Sequence, residues 1–200
     1  MKVVKKLLAL ALLLLLCLSG YIGYKGYRLY REALDQTGLE QMISSVQSKA
    51  NYTKFQELPE LYVNAVVAVE DHRFYKHPGI DLLAIGRAVV NDIKAGSFVE
   101  GGSTITQQLA KILYFSQEKR LERKVAEVFM AFAIEDKYSK EEILELYVNS
   151  IYFGNGYYCI YDASMGYFQR KPSELTEDEC TMLAGIPNAP SVYNPANMEL

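Results

Sequence analysis

Two carboxylates stand side by side at Glu70-Asp71, in the stretch VEDHRFYKHPG, where an apolar run from Ala65 to Val69 ends. A carboxylate at the edge of an apolar wall loses hydration, its pKa rises, and it can act as a general base near neutral pH. The plainer alternative is that Glu70 and Asp71 pair with Arg73 and Lys76 and that His77 is structural. The two histidines stand at no metal-binding spacing.

A second group is Gly101-Gly102-Ser103-Thr104 ahead of a helical run, with Thr104 and Gln107 at capping-box spacing. Glycines let a backbone approach a ligand closely, and a helix N-terminus favours an anion. The third group is cationic. At 100° per residue, Arg120, Arg123, Lys124 and Glu127 fall within about 100° of one another. Leu121, Val125, Val128, Phe129 and Phe132 fill a separate arc, the expected core face. Such a charged face can simply be solvated, with Arg123–Glu127 as an i, i+4 pair. Residues 111–124, however, hold Lys111, Lys119, Arg120, Arg123 and Lys124 against Glu118 and Glu122. A local excess of cations on an acidic domain invites an anion, and phosphate is the natural one.

The elements that must position these groups are helical in period. Apolar runs cover Leu61 to Val69, Leu82 to Ile93 (ending at Gly96), Thr104 to Leu113 and Leu121 to Lys137. Capping boxes at Ser139/Glu142 and Thr176/Glu179 start two more, the last expected to stop at Gly185 before Pro187. The expected class is mainly α.

Positions 7–24 carry no charge, and 18 residues at about 1.5 Å each reach roughly 27 Å, enough to cross a membrane core. Ser19-Gly20-Tyr21 offers no small-residue cleavage site, and Tyr21 and Tyr24 suit an interfacial belt. An uncleaved anchor is expected over 7–24, after a cytoplasmic tail at 1–6. A helical stalk at 25–50 and a globular domain at 51–200 follow. Basic residues flank both ends of the span, and the very short N-terminal flank favours N-in with the domain outside. Residues 1–31 hold six basic and no acidic side chains, leaving 15 basic against 24 acidic beyond. A domain that acidic is a poor nucleic-acid binder. Cys159 and Cys180 are expected as separate buried thiols, with Cys17 in the span.

Taken in order, EDHRFYKHPG, GGSTITQQLAK, RKVAE, ILELYVNSIYFGNG and LTEDECTMLAGIPNAPSVYNP closely resemble the peptidoglycan glycosyltransferase domain (glycosyltransferase family 51), from about Pro59 to Pro195. The family occurs in class A penicillin-binding proteins and in monofunctional transglycosylases; 200 residues leave no room for a transpeptidase domain, which implies the monofunctional type. The resemblance implies a lysozyme-like fold with a small membrane-associated jaw, matched by Ile80 to Val99. It implies polymerisation of lipid II at the outer face of the cytoplasmic membrane, with Glu70 as general base. Glu127 matches the second glutamate, near the leaving pyrophosphate or a divalent ion (magnesium or manganese), and no organic cofactor is expected. Lys111, Arg123 and Lys124 match the phosphate-binding cations. Asp71, Phe74, His77, Gly102, Ser103, Thr104, Gln107, Gln108 and Arg120 are the other candidate substrate-binding residues.

The expected partners are lipid II, the growing glycan strand, membrane lipid and cell-wall synthesis or division proteins. Departures from the family pattern are Ile112 for Asn, Lys119 for Arg (with Arg120 beside it), and Cys159 and Gln169 for Gly. The family usually continues with helices past the YNP stretch, so Leu200 leaves a short form or a truncation open. A lysozyme-like hydrolase and a non-catalytic lipid II-binding scaffold are the alternatives. Neither explains the cationic patch together with both glutamates.

Overall fold

The computed structural model describes residues 2–97, 101–116, 118 and 120–188. Val99, Lys119 and the Tyr193-Asn194-Pro195 stretch, each part of an expectation above, lie outside these. Every regular element among the described residues is helical: α1 (Lys2–Gln36), α2 (Leu39–Gln47), α3 (Glu60–Glu70), α4 (Leu82–Ala95), α5 (Ile105–Tyr114), α6 (Leu121–Glu135), α7 (Lys140–Val148), α8 (Ile160–Phe168) and α9 (Glu177–Gly185), with short 3-10 turns between them.

The chain starts these helices where its side chains can satisfy free backbone N–H groups. Thr104, Ser139 and Thr176 each accept from the third residue of their helix and receive its Gln or Glu in return. Asp81 caps α4 by accepting from Leu83 and Ala84 N–H at 2.9 and 3.1 Å. Gly96 ends α4 in the left-handed conformation at φ 65°. Gly185 behaves differently from expectation. It stays inside α9, and Ile186 (φ −59°) carries the chain on into a 3-10 turn containing Pro187.

α3 packs on α9, and α5 packs against both α6 and α7. Tyr62, Phe74, Met130, Ile134, Tyr147 and Phe153 are fully buried there, each side chain stabilising the fold by about 1.5–3 kcal/mol. Within 25–50 the chain is helical to Gln36 and again over Leu39–Gln47, and the inner faces of these two helices belong to the globular body. Leu39, Ile43 and Val46 of α2 are in the core. α1 lies along α6, and Gly26 makes this contact: a Cβ there would stand 2.5 Å from Val125 Cβ. Tyr27 and Tyr30 add ring contacts to Phe129 at 5.4 and 5.8 Å.

That contact overturns the expected core face of α6. Its fully buried stripe is Ala126, Glu127, Met130, Ala131 and Ile134, whereas Leu121 and Phe132 are exposed. The apolar arc faces α1 and the outside, and the carboxylate turns inward. Helical period alone sorts residues into faces; it does not say which face meets the core.

α1 is the one helix among the described residues long and apolar enough to cross a membrane, and its apolar window is unburied. α4 also leaves Leu82, Leu83, Val89, Val90 and Ile93 exposed. Cys159 and Cys180 are buried and free, as expected, and Cys17 is exposed and free.

Candidate active site

Glu70 is the last residue of α3. It opens onto a cleft of about 360 Å³ lined also by Asp71, Arg87, Gly102, Ser103, Thr104 and Gln108. Gln108 Nε2 donates to Glu70 Oε2 at 2.8 Å. The Tyr147 hydroxyl donates to Gln108 Oε1 at 3.0 Å, which fixes the amide with its NH2 toward Glu70. Glu70 Oε1 is buried and has no hydrogen-bond partner among the described residues. Burial pushes the carboxyl pKa up, the Gln108 bond pulls it down, and the Asp71 charge adds a rise. The result is a partly shielded carboxylate with one oxygen fixed by Gln108 and one left unpaired.

Asp71 has a different task. Its carboxylate accepts from Ile105 N–H at 3.1 Å and lies 2.9 Å from His77 Nε2. Gly79 N–H donates to His77 Nδ1, so Nε2 carries the proton and donates to Asp71. Asp71 thus ties the end of α3 to the start of α5, which brings Gln108 to Glu70. Thr104 adds a 2.6 Å bond to the Gly79 carbonyl. The plainer pairing considered above does not form: Arg73 binds Asp81 at 2.8 Å.

Phe74, His77, Thr104 and Gln107 are all buried. Thr104 and Gln107 spend their side chains on the reciprocal cap, and Lys140 Nζ sits 4.4 Å over the Phe74 ring while donating to the His77 carbonyl. The structure therefore places these four as positioning residues rather than at the cleft surface, Thr104 excepted. Gly102 lines the cleft and also allows a close approach to α4, since a Cβ there would meet Ile85 Cα at 3.0 Å.

The cationic group comes from α5 and α6. Glu127 is fully buried, and its two oxygens are taken by Arg123 and by Lys124, the latter at 2.9 Å. Lys124 Nζ also donates to Ser103 Oγ at 2.6 Å, joining the cluster to the wall of the Glu70 cleft. Burial, then Arg123 and Lys111, push the Lys124 ammonium down to about 8. Lys111 is lowered by burial and then by Arg123. Cations that lower one another's pKa are held closer than they would choose, and an anion relieves them. Arg120 stands apart as an exposed partner of Glu118.

A resident divalent ion at Glu127 does not fit these residues. Both carboxylate oxygens already bind cations, and no group of three His, Cys, Asp or Glu occurs among the described residues. Magnesium or manganese takes several oxygen ligands and is repelled by neighbouring ammonium and guanidinium groups.

Tyr147 and Lys140 were missed from sequence. Tyr147 lies inside the ILELYVN motif, but its helix period marks it only as apolar core. Arg87, which lines the cleft, likewise sits on a helix notable only for apolar residues.

Residues 36–199 match the family described as Transglycosylase. Penicillin-binding protein 1F of Bacillus subtilis (strain 168) is 46% identical over 162 residues, covering 81% of this chain and 22% of that protein. Penicillin-binding protein 1A of Neisseria gonorrhoeae is 47% identical over 149 residues (74% and 19%), and that of Aquifex aeolicus 47% over 147 residues (74% and 20%). The chain spans about a fifth of the length of these relatives. Since the matched region includes α2 to α9 and with them the whole cleft, this all-α, lysozyme-like chain belongs to the transglycosylase family, glycosyltransferase family 51.

Proposed function

We propose that the chain is a membrane-anchored peptidoglycan polymerase that joins lipid II units into β-1,4 glycan strands with inversion. The observation that carries this reading is the unpaired oxygen of Glu70 in a cleft whose wall, through Ser103 and Lys124, continues into the Lys111–Arg123 cluster. Glu70 takes the proton of the acceptor's 4-hydroxyl as that oxygen attacks the anomeric carbon of the donor. The bond from that carbon to pyrophosphate breaks, and the electron pair leaves with undecaprenyl pyrophosphate. Lys111, Arg123 and Lys124 stabilise the charge that grows on the leaving group. A hydrolase acting on uncharged glycan has no use for such a cluster.

Residues 7–24 form the single membrane span in this reading, with 1–6 in the cytoplasm and the domain from 51 on the outer face. The exposed apolar side of α4 dips into the same leaflet. Lipid II, the growing strand and membrane lipid are the partners; cell-wall synthesis or division proteins are further ones.

The test is incubation of the detergent-purified protein with labelled lipid II, with and without chelator, beside Glu70→Gln. The wild type should release undecaprenyl pyrophosphate and lengthen glycan. Glu70→Gln keeps shape but not proton acceptance, and should lose about 10²–10⁴-fold in rate while still binding lipid II. Near-normal turnover by the variant would move the base elsewhere; shortened glycan as product would favour the hydrolase.

A further inference from the structure

Leu121, in the first turn of α6, is the most exposed apolar side chain of that helix, at 67%. What it faces follows from how α6 lies on α1. Gly26 meets Val125, and Tyr30 stacks on Phe129 at 5.8 Å. Further along, Leu34 and Gly38 line one groove with Ala133 and Lys137. In each case the residue of α6 stands 99 positions after its neighbour on α1. A constant difference means that the two helices run side by side in the same direction; an antiparallel pair would keep the sum constant instead.

Carried down by one turn, this register sets Leu121 beside Ile22, within the uncharged stretch 7–24, and Lys124 beside Lys25. The helix that carries the cationic cluster therefore starts where the exposed Tyr21 and Tyr24 give way to the first charge after that stretch. With residues 7–24 in the bilayer, this level is the boundary between acyl chains and headgroups. The charged side chains at this depth answer one another. Arg120 holds Glu118, Arg28 holds Glu32, Arg123 holds Glu127, and Glu122 shares a cleft with Lys25. They suit the polar headgroup layer and call for no added ion. What they leave over is Leu121, an exposed leucine at lipid depth, which gains by leaving water for acyl chains.

We propose that the first turn of α6 is a membrane-contact site of its own, separate from α1 and α4, with Leu121 inserted among acyl chains just below the headgroups. The contact fixes the height of Arg123 and Lys124 directly above the lipid. The proposal rests on residues 7–24 as a membrane span and not on the polymerase reading, so its test reads depth alone.

The chain has no tryptophan, so a single introduced one reports its own position. Full-length Y21W, L121W and F132W are placed in phosphatidylcholine nanodiscs, with and without acyl chains brominated near the headgroup end. The loss of tryptophan emission to bromolipid is read, and circular dichroism checks folding. Tyr21 marks the span, and Phe132 lies eleven residues beyond Leu121, about 16 Å further along α6. Y21W and L121W should lose similar fractions of their emission, and F132W almost none. The preference of tryptophan for the interface is common to all three variants, so the contrast between 121 and 132 reports the fold. Quenching of Y21W without quenching of L121W overturns the proposal and leaves the anchor standing. An unquenched Y21W removes the span and the proposal with it. Equal quenching at 121 and 132 also overturns it, because α6 would then lie flat on the lipid rather than rise beside α1.

Discussion

Replacing Glu127 by glutamine keeps the side chain's shape and removes the charge that holds two cations in place. Glu127 is completely buried, the Arg123 side chain is 13% exposed and that of Lys124 46% exposed. Breaking a buried ion pair costs about 3–5 kcal/mol because the remaining charge is left in a poor solvent. Lys124 can turn to water and the substituted amide still offers a carbonyl, so the low end, about 3 kcal/mol, applies. For a chain of this size each kcal/mol shifts Tm by about 2–4 °C, so Glu127→Gln should melt about 6–12 °C below the wild type. The variant also leaves Lys111, Arg123 and Lys124 with no internal anion between them. Inorganic pyrophosphate should therefore recover more of the lost Tm in the variant than it adds to the wild type, by binding the folded state. The assay is thermal unfolding in detergent followed by circular dichroism, with and without pyrophosphate. A wild-type Tm, or equal stabilisation of both proteins by pyrophosphate, would refute the view of Glu127 as the cluster's internal counter-ion.

Tyr147→Phe frees the Gln108 amide to turn, so Glu70 loses a donor to its charged form and its pKa rises further above the ordinary carboxylate value. The base must be ionised to work, so activity falls as pH drops through that pKa; the acid limb of the pH–rate profile should move to higher pH, and superimposable profiles would remove Tyr147 from the relay. Ionising Glu70 also costs stability, because a raised folded-state pKa favours the protonated form below it and that advantage is lost as pH rises through it. Gly26→Leu drives a side chain into Val125, where even a Cβ would stand 2.5 Å from its neighbour. Overpacking of this kind costs about 1–3 kcal/mol, and protease accessibility of the α1–α6 contact should rise; an unchanged digestion pattern would show that the two helices separate freely. Gln169 ends α8 in the left-handed conformation at φ 55°, so Gln169→Gly should stabilise the protein by about 1 kcal/mol in a denaturant titration; no gain would mean that the Gln169 side chain offsets its own backbone strain.

The helical class and the starts of α5, α7 and α9 were legible in the sequence, and so was the grouping of Glu127 with Arg123 and Lys124 on one helix face. These are local properties: a cap needs only its own first turn, and a motif only the order of residue types. Tertiary structure alone decided which face of α6 turns inward, because α1 covers the apolar arc through Gly26 while Glu127 goes to the core. It also decided the division of labour between adjacent carboxylates. Glu70 keeps an oxygen free, while Asp71 spends both of its oxygens on His77 and one of them also on the N-terminus of α5. The partners that make this difference, Ile105, Gln108 and Tyr147, lie 34 to 77 positions away in the chain. No pattern within a few residues can encode a contact of that range; packing in three dimensions sets it.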